Sequence, residues 1–359
     1  MKKNYHFLLA GLICVYACRA QDHLAGSSDT RIQYMGRVIE RGSSTELSWT
    51  ATTVTVAFDG TGMQALLKDQ RGDNYYDVIV DGRLTTVLHP DNIKRLYTLA
   101  AGLPPGRHSL ELFKRTEWAM GKTWFYGLLP DEHTTLLPPP PPPGRKIEFY
   151  GNSITCGYAV EDSSGKDRGT APYEDAYVAY AAVAARHFNA QLSCITKSGI
   201  GVLVSWFPLI MPEMWDRLDA TDTGSKWDFS RWTPDVVVIN LFQNDAWLTN
   251  MPANEQFKAR FGNTAPGPDV IIRAYKQFVQ GIRGKYPNAD IICMLGNMDA
   301  TKAGAPWPGF IQKAVSQLGD KKMHTLIVPY KGTPGHPNIA EQKVLADSLI
   351  DFIDKNIRW

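Results

Sequence analysis

The chain has 359 residues, 44% of them hydrophobic and 21% charged, which exceeds the usual size of one domain and supplies ample material for packed cores. Thirty-eight Lys and Arg against 36 Asp and Glu leave a net charge of +2, and no basic run of the kind that tracks a phosphate backbone occurs. Two globular domains are expected, and nucleic acid is not an expected partner.

The chain opens Met-Lys-Lys, runs apolar from Phe7 to Ala17, and passes Cys18-Arg19-Ala20 before polar Gln21-Asp22-His23. A basic start, a short apolar core and small residues near a cleavage point describe a secretory signal over residues 1–20, too short to remain as a membrane span. Cleavage after Ala20 releases a soluble protein, secreted or periplasmic. Alternatively, Val15-Tyr16-Ala17-Cys18 is an imperfect lipoprotein box that leaves Cys18 lipidated at the cell envelope. Two of the five cysteines, Cys14 and Cys18, fall in this segment. Cys156, Cys194 and Cys293 remain, an odd number in apolar surroundings, which reads as buried thiols rather than a disulfide scaffold or metal site.

From 21 to 137, short β-rich segments alternate with turn signals: Thr53–Phe58 before Asp59-Gly60, Tyr75–Val80 before Asp81-Gly82, and His108–Phe113 after Pro105-Gly106. Period-two alternation with such turns predicts an antiparallel β-sandwich. Six prolines, Pro138 to Pro143, lead into Gly144-Arg145. They favour polyproline II and cannot join a sheet ladder, so 138–145 reads as a linker.

From 146 to 359 the rhythm becomes strand, helix, strand. Apolar runs at Ile147–Tyr150, Leu192–Thr196, Val236–Leu241, Ile291–Leu295 and Leu326–Val328 predict buried parallel strands. Helical stretches lie between and after them at Glu174–Phe188, Val270–Tyr286, Phe310–Leu318 and Ile339–Ile353. The fold class is a three-layer α/β domain, and ligands bind at the carboxyl ends of such strands. Three polar groups arrive at that edge: Ser153 in Gly151-Asn152-Ser153-Ile154-Thr155, Asn244 in Gln243-Asn244-Asp245, and His336 in Gly335-His336-Pro337-Asn338.

Each of these signals is modest alone. In this order, from about Lys146 to the C-terminus, they resemble the blocks of the SGNH, or GDSL, hydrolase superfamily. More specifically, Tyr34-Met35-Gly36-Arg37, Lys114-Arg115-Thr116-Glu117 and Ile147 to Tyr158 are similar to segments of carbohydrate esterase family 2. The resemblance implies a jelly-roll sandwich before a flavodoxin-like SGNH domain, with acetyl groups on xylan- or mannan-type polysaccharide as substrate.

Ester cleavage then assigns roles. A serine hydroxyl needs a base to take its proton, and His336 matches Ser153. The oxyanion needs preorganised donors. By position these are the N–H of Ser153, a glycine N–H in Ser198-Gly199-Ile200-Gly201, and the Asn244 amide; Gly201 is the first choice and Gly199 the second. Two departures from the superfamily pattern stand out. Asn152 replaces the usual Asp before the serine, and Thr333 occupies the place of the acid three residues before the histidine. A Ser-His dyad is therefore expected, its second nitrogen held by a backbone carbonyl or by an acid from elsewhere, with Asp245 and Asp299 available. No metal signature is present and this chemistry needs no cofactor.

Trp206, Trp247 and Trp307 fall in loops of the same edge, where indole faces can stack on sugar rings, and Asp245 is grouped with them as substrate-binding. Two other readings remain: a lipase or thioesterase on the same fold, and a non-catalytic carbohydrate-binding protein.

Overall fold

A computed structural model describes residues 24–359. The expected signal over residues 1–20, including Cys14 and Cys18, lies outside the described residues, as does His23. No helix among the described residues is long and apolar enough to cross a membrane.

The first half is two antiparallel sheets face to face. One runs β3 (Val38–Arg41), β4 (Ser44–Leu47), β11 (Thr123–Pro130), β6 (Met63–Asp69), β9 (Arg95–Ala100), with β1 (Ala25–Gly26) also on β11. The other runs β12 (Thr135–Leu136), β5 (Thr53–Asp59), β10 (Arg107–Lys114), β7 (Tyr76–Val80), β8 (Arg83–Leu88), with β2 (Gln33–Met35) on β5. The alternation legible in the sequence has its cause here. Val54, Val56 and Phe58 of β5 turn inward beside Leu110 and Leu112 of β10, and the residues between them face out.

The prolines carry neither helix nor strand. They are tied at the middle and at the last proline, Pro140 O accepting from Gln33 Nε2 at 3.0 Å and Pro143 O from Gln191 Nε2 at 2.7 Å.

The second half is a parallel sheet in the order β14 (Ala190–Thr196), β13 (Arg145–Gly151), β15 (Val236–Asn240), β16 (Asp290–Leu295), β17 (Met323–Ile327). Strands β13 to β16 are largely buried on both faces, and edge strand β17 is half-buried beyond Met323. Ile147 and Phe149 of β13 meet helices α2 (Tyr180–His187) and α7 (Ile339–Asn356), while Tyr150 meets α5 (Pro268–Lys285) and the α6 (Trp307–Leu318) side. In α5 the apolar set Ile271, Ile272, Tyr275, Phe278, Val279 and Ile282 recurs at helical spacing, which fixes the face it buries. The order reverses between β13 and β15, which opens a crevice beyond their carboxyl ends. Cys156, Cys194 and Cys293 are buried and unpaired.

One helix differs from expectation. The pattern predicts α2 from Glu174, but it begins at Tyr180. Ala171–Tyr173 is a 3-10 turn, and Asp175 then reaches the Arg115 guanidinium while Glu174 accepts the N–H of Glu117. Buried contacts with the sandwich override helix propensity there.

The two halves share their cores. Ala51, Ile79 and Phe113 of the sandwich join the cluster around Ile147 and Phe149, and Trp49 joins the other, its Nε1 donating to Leu218 O at 2.7 Å. Buried Arg37 donates to Glu148 at 3.1 Å and to the carbonyls of Trp215 and Arg217, each at 2.8 Å.

Candidate active site

At the end of β13 the chain turns into a single helical turn, α1 (Ser153–Cys156), with Asn152 as its cap: Asn152 Oδ1 accepts from Ile154 N at 3.0 Å. The Asn that replaces Asp thus keeps the capping acceptor. Ser153, first in the turn, is 3% exposed.

His336 lies in the loop after β17, just before α7, whose start is fixed by a reciprocal Asn338–Glu341 capping box. Its Nε2 is 2.9 Å from Ser153 Oγ. Its Nδ1 is 2.9 Å and 3.0 Å from the two oxygens of Asp167, and its backbone N–H also donates to Asp167 at 2.9 Å. A carboxylate at Nδ1 requires the proton on that nitrogen, which leaves Nε2 free to accept from the serine hydroxyl. Tyr158 packs against the imidazole, ring centroids 4.4 Å apart.

Asp167 is the residue the sequence did not reveal. Neither Asp245 nor Asp299 reaches the histidine, and Thr333 turns its hydroxyl to Lys331 and Glu341. Burial alone raises the Asp167 carboxyl, but the hydrogen bond and charge of His336 outweigh it and hold it below its ordinary value. Gly335 makes room for this contact: its φ is +72°, and a Cβ there would lie 3.2 Å from Asp167 Cγ.

The oxyanion loop also resolves. Of the N–H groups from Lys197 to Gly201, four have acceptors: Gly151 O, Glu117 Oε2, Lys197 O and Ser205 Oγ take those of Lys197, Ser198, Ile200 and Gly201. The Gly199 N–H has no acceptor among the described residues, and neither has that of Ser153. Gly201, the first choice from sequence, is therefore occupied. A Cβ there would also meet Val204 O at 2.0 Å. Gly199, the second choice, is the residue of this loop whose N–H is left without an acceptor among the described residues. Asn244, in the first turn of α3 (Gln243–Leu248), has its amide oriented by two bonds: Oδ1 accepts from Trp206 Nε1 at 3.1 Å, and Nδ2 donates to Ile200 O at 2.8 Å. One amide hydrogen remains for a ligand.

Two residues grouped with substrate binding belong to the interior. Asp245 is fully buried and its carboxyl accepts the N–H groups of Val202, Leu203 and Val204. Burial pushes it up to about 6 against those three donors. Trp307 is 5% exposed and packs on Phe242 and Phe310, with centroids at 5.0 Å and 5.5 Å. Trp206 is 44% exposed, and Trp247 is half-buried against the core. Trp247 donates to Asp299 at 3.0 Å and lines a cavity of about 330 Å³ with Asp167, Lys302, Tyr330 and Gly335. Cys156 is buried, and its thiol is pushed well above its ordinary value by burial and then by Glu117 and Glu174, which disfavours the thiolate.

Residues 34–140 match the family model described as carbohydrate esterase 2 N-terminal, and residues 149–336 match the GDSL-like lipase/acylhydrolase family. The cellulase/esterase CelE of Acetivibrio thermocellus is 32% identical over 87% of this chain, which spans 38% of that relative's length. An acetylxylan esterase/glucomannan deacetylase of Cellvibrio japonicus is 26% identical over 92% of this chain and 89% of its own length. A solved family two carbohydrate esterase from Clostridium thermocellum, in complex with cellohexaose, is 31% identical with a TM-score of 0.79, covering 90% of this chain and 98% of that one. Sandwich and hydrolase halves are matched in the same order and over nearly the whole described chain, and the chain belongs to family 2 of the carbohydrate esterases.

Proposed function

We propose that the chain removes acetyl groups from a plant-type polysaccharide or oligosaccharide, xylan- or mannan-like, through an acyl-enzyme on Ser153. The observation that carries this reading is the line Ser153 Oγ, His336, Asp167 at 2.9 Å steps.

His336 Nε2 takes the proton from Ser153 as its oxygen attacks the acetyl carbonyl carbon. The carbonyl oxygen becomes an oxyanion and meets the N–H groups of Ser153 and Gly199 and the Asn244 amide. The imidazolium, balanced by Asp167, then gives its proton to the departing sugar hydroxyl. Water repeats the sequence on the acetyl-serine and releases acetate.

The names of the relatives supply the substrate class, and the indoles of Trp206 and Trp247 supply faces for sugar rings at the cleft. The N-terminal pattern Met1–Ala20 fits a polymer degraded outside the cytoplasm, by secretion or at the envelope. On this reading the domain boundary lies in 138–145, between the sandwich and the hydrolase.

The test measures acetate release from acetylated xylan and mannan, and hydrolysis of 4-nitrophenyl acetate and longer acyl esters, by wild type and Ser153→Ala. Cleavage by wild type only, with acetyl preferred, is the expected result. Preference for long acyl chains would favour a lipase or thioesterase, and equal behaviour of the two proteins would leave a carbohydrate-binding role.

A further inference from the structure

From the last residue of β10, Lys114, the chain leaves the sandwich toward the active site, and Lys114, Arg115, Thr116 and Glu117 are all buried. The Glu117 carboxyl oxygen Oε2 accepts the N–H of Ser198 at 2.6 Å and lies 3.7 Å from Cys156 Sγ. Cys156 closes the helical turn that Ser153 opens, and Ser198 directly precedes Gly199. A single side chain from the first half therefore touches both segments, the Ser198 backbone N–H in one and the Cys156 thiol in the turn that Ser153 opens.

We propose that Glu117 is a positioning residue for the oxyanion hole, so that the sandwich completes the esterase site and does more than flank it. The inference rests on the esterase reading above.

Glu117 is itself tied from two sides. Its N–H donates to Glu174, and its carbonyl accepts from buried Lys114 Nζ at 3.2 Å, which also donates to Thr116 O at 2.7 Å. The loop it holds needs such a tether. Gly199 has φ +83° and no side chain to fix its peptide planes. On its far side it is held by Trp206 N donating to Gly199 O at 3.1 Å and by Ile200 N donating to Lys197 O at 3.2 Å. On the near side the tether to another element, past the Lys197 link to Gly151, is the Glu117 bond to Ser198. Withdrawing it leaves the adjacent Ser198–Gly199 peptide free to tilt, and a donor that tilts away from the oxyanion is lost only in the transition state.

The test uses the full chain with Glu117→Asp, which withdraws the carboxyl by one methylene, and Glu117→Gln, which keeps an acceptor oxygen at the same reach. With 4-nitrophenyl acetate, E117D is expected to lose about 10- to 100-fold in kcat, since removing one oxyanion donor outright costs about 100- to 1,000-fold. KM stays within about twofold, because the interaction belongs to the transition state. Affinity for a boronic acid that forms a tetrahedral adduct on Ser153 falls by the same factor as kcat. E117Q retains most of the wild-type kcat. The proposal is overturned by an E117D enzyme with wild-type kcat, by equal losses in E117D and E117Q, or by a loss confined to KM. Failure of wild type itself to cleave the ester overturns the esterase reading and this inference with it, whereas an active wild type matched by E117D overturns the inference alone.

Discussion

Asp167 meets His336 from a position 169 residues away in the chain, and in the proposed reaction its worth lies in fixing one tautomer. An amide in its place can donate to Nδ1 and so favour the proton on Nε2, where it blocks acceptance from Ser153. Asp167→Asn is expected to lower kcat by about 10- to 1,000-fold with KM nearly unchanged, less than in a fully buried triad because the Asp167 side chain is 35% exposed and water can share its role. Steady-state kinetics on 4-nitrophenyl acetate check this, and an unchanged kcat would show the dyad sufficient. Asp245 makes a prediction of the opposite kind. Its folded value of about 6 lies above the ordinary carboxyl value near 3.9, so the folded state takes up a proton between the two and this group's contribution falls as pH rises through 6. Wild type therefore loses about 2–3 kcal/mol from this group between pH 4 and pH 7, and Asp245→Asn should lack that slope in urea midpoints measured across the range. At this scale the sequence placed Ser153, His336 and Asn244 at one edge of the sheet, because each follows a recognisable strand, and the first two do meet there. It could not reveal Asp167, whose only local signature is a polar turn, nor that Ser205 Oγ takes the Gly201 N–H and leaves that of Gly199 open.

The stretch from Gly157 to Asp175 behaves as a strap that delivers the acid. Asp162 accepts from Arg168 N at 2.8 Å and from its guanidinium at 3.0 Å and 2.6 Å, and the guanidinium holds Asp162 far below the usual carboxylate range. Arg168 in turn lies over Tyr173, 4.0 Å from the ring centre. Next to it, Gly169 sits so close under Tyr158 that a Cβ would fall 1.6 Å from Cζ. Since Tyr158 packs on the imidazole, a side chain at 169 pushes on the base itself. Gly169→Ala is expected to lower kcat by about tenfold or more through a displaced ring, a 1 Å error in a catalytic group being worth about a hundredfold. Asp162→Ala, which only loosens the strap, should cost less than Gly169→Ala and less than Asp167→Asn. A reversed order in kcat would mean that the strap does not position the acid. Strands and the long helices α5 and α7 were legible because their periodicity reports burial of one face or two. The strap and residues 174–179 were not, because side-chain contacts with the sandwich decide their path, and no periodicity records a contact made across domains.

Arg115 joins the halves of the molecule. Its guanidinium reaches Asp77 of β7 at 3.3 Å, Asp175 at 3.3 Å, and Glu161 at short range, with only 4% of its side chain exposed. One cation thus offsets three carboxyls in a seam that also buries Ala51, Ile79 and Phe113 against the hydrolase core. Burial raises Asp77 to about 6 and Asp175 to about 7, Arg115 pulling both back down while their neighbours push them up. Both values exceed the unfolded reference near 3.9, so folding takes up protons below pH 7, and the cluster's contribution grows as pH falls from 8 toward 5. Arg115→Met removes the cation and leaves the carboxyls facing one another. The loss should be about 3–5 kcal/mol at pH 8, the range found when one partner of a buried pair is deleted. It should shrink toward pH 5, because without the arginine the carboxyls protonate more readily and the repulsion fades. Urea unfolding of both proteins at the two pH values separates this from a packing defect, which would destabilise equally at both. The shared core adds a second expectation for the same experiment. Wild type should unfold in one transition by tryptophan fluorescence and by circular dichroism alike, since neither half buries its seam residues alone, and a variant weakened only at the seam is the one in which those two probes should come apart.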